Sequence, residues 1–193
     1  MLQEITWLGR GGQGGVTGTR LLASSALKEE IEAQSIVFFT AERRGSPVFA
    51  FNRVSDSKIK KHSYPSKTDV LMILDPVLLT EDQIQDHLKE GGTLIVNSEN
   101  DEELRQFSNI AGKIARVDAT QIAIELDLTV AGLYVTNTIM LGAFSKAMGY
   151  PKITSVETAI KERWPGKVGE LNAKGARMGY EKTNIVYEEN NAK

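Results

Sequence analysis

The stretch Ile5-Thr6-Trp7-Leu8-Gly9-Arg10-Gly11-Gly12-Gln13-Gly14-Gly15-Val16-Thr17-Gly18 decides the fold class. A short apolar run enters a cluster of glycines, and an amphipathic pattern follows at once through Val16, Leu21, Leu22, Ala26, Leu27 and Ile31. That order reads as strand, glycine turn and helix. Gly9, Gly11 and Gly14 fit G-x-G-x-x-G, placed between strand and helix as a phosphate-binding turn requires. Glycine tolerates positive φ and carries no Cβ, so backbone can approach a bulky anion closely. The helix that follows aims unpaired N–H groups and a partial positive charge at the same spot. Arg10, inside the turn, adds a charged donor, and Gly12, Gln13 and Gly15 complete the candidate set. The turn meets a phosphate-bearing ligand or an apposed partner loop, or it is a tight connection that binds nothing.

Outward from the turn, the first helical pattern continues to about residue 32. Ile36-Val37-Phe38-Phe39 predicts a second, buried strand, followed by a polar loop that contains Arg43 and Arg44. Residues 48–54 predict a third strand. The connection to it is too short for a crossover helix, which makes it antiparallel to the second or an edge strand. Val70-Leu71-Met72-Ile73-Leu74 is a continuous apolar run of the buried parallel type, stopped by Asp75-Pro76. Thr80 and Gln83 form a capping box for a helix that Gly91-Gly92 is expected to end.

Strands are expected at 93–97 and 113–117, with a short helix at 101–108 between them. Asp118-Ala119-Thr120 opens the next helix. Residues 132–148 predict a longer helix, with Leu133, Ile139, Met140, Ala143 and Phe144 buried and Gly149-Tyr150-Pro151 closing it. Helical patterns at 154–164 and 168–182 precede a polar tail from Glu188. Strands alternating with helices predict an α/β fold, a three-layer Rossmann-like domain with a mostly parallel sheet covered on both faces. No linker divides the chain, so residues 1–193 read as a single domain.

Composition narrows the function. The hydrophobic fraction is 41%, the charged fraction 25% and the net charge −2, so nothing marks the whole chain as a nucleic-acid or membrane binder. The absence of cysteine excludes disulfides, thiol catalysis and cysteine-ligated iron–sulfur clusters in this chain, and it fits a reducing cytoplasm. Leu2-Gln3-Glu4-Ile5 lacks the basic start and apolar block of a signal peptide. No apolar run approaches the length of a membrane span.

A nicotinamide fingerprint wants an acidic residue about 20 positions on, closing the second strand. Here that strand ends Phe39-Thr40-Ala41, which disfavours NAD, while Arg43 and Arg44 keep an NADP-binding reductase open. The two arginines suit phosphate or carboxylate recognition, or form a solvated surface pair. Asp75 is a general base or a turn residue, and Pro76 favours the turn. Asn137 either binds a ligand or makes a structural bond to backbone. His62 and His87 have no partners at ligand spacing, so no metal site is expected. No catalytic triad stands out. An anion site without self-contained catalytic machinery suggests a subunit role.

Five stretches now in hand occur in order: 9–16, Glu42-Arg43-Arg44-Gly45-Ser46-Pro47-Val48, Leu74-Asp75-Pro76, 91–97, and Asn137-Thr138-Ile139-Met140-Leu141-Gly142-Ala143. Together they resemble the gamma subunit of the 2-oxoacid:ferredoxin oxidoreductases, and the E-R-R-G-S-P-V form is most similar to the pyruvate branch. One departure is that Phe39-Thr40-Ala41 stands where the family usually has Gly-Pro before the glutamate, which leaves open a paralogue acting on another 2-oxoacid. The resemblance implies a multisubunit enzyme that turns pyruvate, coenzyme A and oxidised ferredoxin into acetyl-CoA, CO₂ and reduced ferredoxin. It implies alpha, beta and delta type partner subunits, with thiamine diphosphate and iron–sulfur clusters on those partners and no cofactor on this chain alone. It further implies that this chain helps to bind coenzyme A, whose phosphates suit a glycine turn with arginines.

Overall fold

In the computed structural model, which describes residues 2–37, 47–61 and 63–189, the opening apolar run becomes β1, Leu2–Arg10. Residues 4–9 of it are buried, because strands lie on both sides. The other strands are β2 Glu32–Val37, β3 Pro47–Ser55, β4 Thr68–Ile73, β5 Leu88–Asn97, β6 Lys113–Val117, the short hairpin β7 Thr129–Val130 and β8 Leu133–Tyr134, and β9 Asn184–Glu188. The main sheet has the order β2-β3-β1-β4-β5-β6-β9. Its centre, β1-β4-β5-β6, is parallel, while β3 and β9 run against their neighbours. Most strands therefore point one way, as expected.

Alternation of side chains along these strands builds two cores. Ile5, Trp7, Met72 and Ile95 face one way and pack under α1 Gly15–Leu27, α4 Ala119–Glu125, α5 Asn137–Met148, α6 Ile153–Arg163 and α7 Lys167–Lys182. Leu8, Leu71, Ile73 and Leu94 face the other way, under α2 Glu81–His87 and α3 Glu102–Arg105. The three layers follow. Gly18 sets the spacing of α1 over β1, since a Cβ there would lie 2.5 Å from the Trp7 ring.

Several expectations need correction. β2 is half-buried at the sheet edge rather than buried, because β3 inserts between it and β1. Phe38 and Phe39 lie outside the described residues. α2 ends at His87, and Gly91-Gly92 sit inside β5. Gly92 and Gly112 permit close backbone approach there, since a Cβ on Gly92 would lie 2.9 Å from the Asp69 carbonyl oxygen and one on Gly112 would lie 2.5 Å from the Gly91 carbonyl oxygen. The helix expected at 132–148 begins only at Asn137. Ala131 and Gly132 both adopt positive φ, at 50° and 78°, and fold 129–134 into the hairpin, which leaves Leu133 exposed. α5 is buried almost all round, and Gly142 and Gly179 let it lie against α7 backbone to backbone. Its apolar surface is thus spent inside this fold, leaving no free face for a partner. β9 was not anticipated.

Candidate functional site

The glycine turn closes on itself through Gln13. The Gln13 Oε1 accepts the Arg10 backbone N–H at 2.7 Å, and the Gln13 backbone N–H donates to the Arg10 carbonyl at 3.2 Å. Its Nε2 donates to Asp75 Oδ2 at 2.9 Å. Asp75 in turn accepts the Val77 N–H through Oδ1 at 3.0 Å, which is the turn role that Pro76 favoured. Gly9 leaves room for this brace, because a Cβ there would lie 3.0 Å from Gln13 Oε1. Gly12 and Gly14 take φ of 94° and 79°, the left-handed region that glycine tolerates best.

Asn137 ties the turn to the start of α5. Its Nδ2 donates to the Gly14 carbonyl at 3.1 Å, and its Oδ1 accepts the Thr138 N–H at 2.8 Å. Both ends of the amide are therefore engaged with backbone. A Cβ on Gly14 would lie 2.5 Å from Asn137 Nδ2, so only glycine permits the contact.

Beside the turn opens a cleft of about 680 Å³ at the carboxyl end of β1. Of the residues that the sequence singled out, Arg10, Gly11, Gly12, Gly14, Gly15 and Asn137 line it. Gly9 and Gln13 stand behind the wall as supports, and Arg43 and Arg44 lie outside the described residues. Sequence reasoning missed the facing wall, built from Val48, Leu128, Val130, Trp164, Val168 and Leu171. These residues are far from the glycines along the chain. The only local signal was Pro165-Gly166, which turns α6 into α7.

The first turns of α1, α5 and α7 all line the cleft, and none of the three helices has an N-cap side-chain bond. Glu170 is the one acidic residue in those three first turns. The positive end of α1 thus has no compensating side chain, while Asn137 Oδ1 meets one donor of α5 and Glu170 lies in the first turn of α7. The Arg10 side chain is 36% exposed, with Nε 3.1 Å from Asp75 Oδ2 yet not aligned for a hydrogen bond. Cationic and N–H groups line one side, and aliphatic side chains the other. A ligand combining an anion with an apolar arm fits that division.

The dinucleotide alternative loses its geometry. In that arrangement the end of the second strand lies beside the glycine turn. Here β3 separates β2 from β1. Among the described residues no group of three or more His, Cys, Asp or Glu is placed to hold a metal, and no helix is long and apolar enough to cross a membrane.

Comparison with known proteins decides the family. The model of the pyruvate ferredoxin/flavodoxin oxidoreductase family matches residues 4–182. The chain belongs to the gamma subunits of the 2-oxoacid:ferredoxin oxidoreductases. It is 46% identical over 187 residues to the pyruvate/ketoisovalerate oxidoreductases common subunit gamma of Thermococcus kodakarensis, covering 96% of this chain and 98% of that one. It is 39% identical over 178 residues to the pyruvate synthase subunit PorC of Methanothermobacter thermautotrophicus, covering 92% and 94%. The crystal structure of the pyruvate oxidoreductase subunit PORC of Thermotoga maritima superposes with a TM-score of 0.81 at 32% identity, covering 95% of this chain and 98% of that one. These relatives are each named as a subunit of an oxidoreductase or a synthase.

Proposed function

We propose that this gamma subunit serves a thiamine diphosphate-dependent pyruvate:ferredoxin oxidoreductase and that its cleft binds coenzyme A. The cleft supports this reading: a cationic, N–H-rich side faces an aliphatic wall in about 680 Å³ of space. The start of α1, with Arg10, would hold the pyrophosphate. The wall of Val48, Val168 and Leu171 would take the pantetheine arm and exclude water from it.

Alpha, beta and delta type partners carry the thiamine diphosphate and the iron–sulfur clusters, which supply the decarboxylation and electron transfer to ferredoxin. This chain, with no cysteine, leaves that chemistry to them and is inactive alone. The assembled enzyme works in the cytoplasm. A relative's gamma subunit is named as common to a pyruvate and a ketoisovalerate enzyme. A subunit shared in that way does not choose the 2-oxoacid, so selectivity between oxoacids resides in the partners and an enzyme for a second oxoacid could use this chain as well.

The test is Arg10→Ala in the assembled enzyme. Bonds to charged groups contribute roughly 1.5–3 kcal/mol each, and a half-exposed arginine falls at the low end of that range. The KM for coenzyme A should rise about tenfold, with the KM for pyruvate unmoved. An unchanged KM for coenzyme A would overturn the reading.

A further inference from the structure

The chain has two tryptophans, and they sit in contrasting places. Trp7 is buried in the sheet and donates its indole N–H to Asn52 Oδ1 at 2.9 Å. Trp164 lies at the corner between α6 and α7, half-buried, and is the one aromatic side chain among the described residues of the cleft wall. Its indole N–H has no hydrogen-bond partner among the described residues. The corner is built rigidly. The Trp164 backbone N–H donates to the Ile160 carbonyl at 3.0 Å. Gly169 lets the first turn of α7 press on the Trp164 carbonyl, where any Cβ would come within 1.9 Å.

Beside the ring stands a cation. The Arg163 guanidinium lies 5.9 Å from the Trp164 ring centroid and has no carboxylate partner among the described residues. A flat ring held at a fixed corner, open to a cleft and flanked by a guanidinium with no carboxylate partner among the described residues, suits a heteroaromatic base that carries a phosphate nearby. Building on the coenzyme A reading above, we infer that Trp164 is the stacking platform for the adenine ring and that Arg163 meets the phosphate on its ribose. The glycine turn then holds one end of the ligand's phosphate chain, and the α6–α7 corner reads its nucleoside.

The test uses the assembled enzyme with two acceptors, coenzyme A and 4′-phosphopantetheine, which lacks the base. Trp164→Leu keeps apolar bulk but removes the ring. It should raise the KM for coenzyme A about tenfold and leave that for 4′-phosphopantetheine unmoved. Trp164→Phe, which keeps a ring, should retain most of the affinity. Should the leucine variant fail to assemble, Arg163→Ala decides the matter, because Arg163 is exposed. It should raise the KM for coenzyme A and not for 3′-dephospho-coenzyme A. An equal rise for both acceptors in Trp164→Leu, or no change in any of these variants, overturns the inference while Arg10→Ala still weakens coenzyme A. An Arg10→Ala enzyme with normal coenzyme A kinetics overturns the parent reading instead.

Discussion

A carboxylate meets an arginine at each end of β1. At the amino end Glu4 lies opposite Arg53 in the antiparallel register with β3. Arg53 is fully buried, and every side of its guanidinium is used: Nε donates to Glu4 Oε1 at 3.0 Å, Nη1 to the Lys61 carbonyl at 2.9 Å, and Nη2 to the Ser63 carbonyl. Lys61 adds a second cation 3.0 Å from the same carboxylate. At the carboxyl end Arg10 faces Asp75 at 3.1 Å, half-exposed, with Nε aligned to no acceptor. Buried charge is tolerated when its donors and acceptors are matched, so the amino end is a closed network that holds the sheet to Lys61 and Ser63. The carboxyl end pairs its charges but leaves the Arg10 Nε without an aligned acceptor, beside a cleft. Arginine at the first end is committed to the fold, and arginine at the second lines the cleft that we propose binds coenzyme A.

The largest effect should come from breaking the closed network. Arg53→Met keeps the bulk but removes one of the cations from Glu4 and strips two carbonyls of their donor. Removing one partner of a buried pair costs about 3–5 kcal/mol, which in a chain of this size lowers the melting temperature by roughly 10 °C. Thermal unfolding of the isolated chain measures it, and coenzyme A kinetics of the assembled variant should be near normal. Arg10→Ala should do the reverse, shifting the KM and hardly moving the melting temperature. If both variants lose stability equally and neither alters binding, the two ends are not different in kind.

The carboxyl end was the more legible of the two in sequence. Glycines between an apolar run and an amphipathic one leave few options, since Gly12 and Gly14 need positive φ and Gly14 must admit Asn137. Asp75-Pro76 likewise announced a turn that the structure contains. What stayed hidden was long-range. Trp164 and Val168 reach the cleft only because α7 crosses α5 on paired glycines, and nothing near Gly11 encodes that crossing. The Glu4–Arg53 pair depends on register between strands 49 positions apart. The 129–134 hairpin was hidden by its own apolar residues, which mimic helical spacing until Ala131 and Gly132 reverse the chain.

The next effect is on pH. Burial pushes the Glu4 carboxyl up, but hydrogen bonds and attraction from Lys61 and Arg53 outweigh it and hold its pKa below the ordinary 4.5. A group depressed in the folded state contributes stability that is fully present above its unfolded pKa and is lost as pH falls through the folded value. Unfolding free energy should therefore decline as the pH drops below about 4.5. Glu4→Gln, which cannot ionise, should be less stable at neutral pH and should lack this share of the acid-side loss. A variant whose acid profile runs parallel to wild type would remove Glu4 from the network's energetics.

The smallest effect is expected at the network's rim. Lys89 reaches Asp69 Oδ1 at 2.8 Å and Glu4 Oε2 at 3.7 Å, but its side chain is 44% exposed, where that of Arg53 is wholly buried. Water competes for the ammonium, and ordering a long side chain opposes the pair, so exposed ion pairs contribute about 0–1 kcal/mol. Lys89→Ala should lower the melting temperature by at most a few degrees, and raising the salt should shrink that difference, because exposed charges are screened. The Arg53→Met loss should survive the same salt, since no water or ion reaches that guanidinium. Unfolding both variants at low and high salt separates the cases. A Lys89→Ala loss as large as that of Arg53→Met, and equally resistant to salt, would mean that Glu4 is held by its whole surroundings rather than by Arg53, and burial would no longer distinguish the structural arginine from the cleft-lining one.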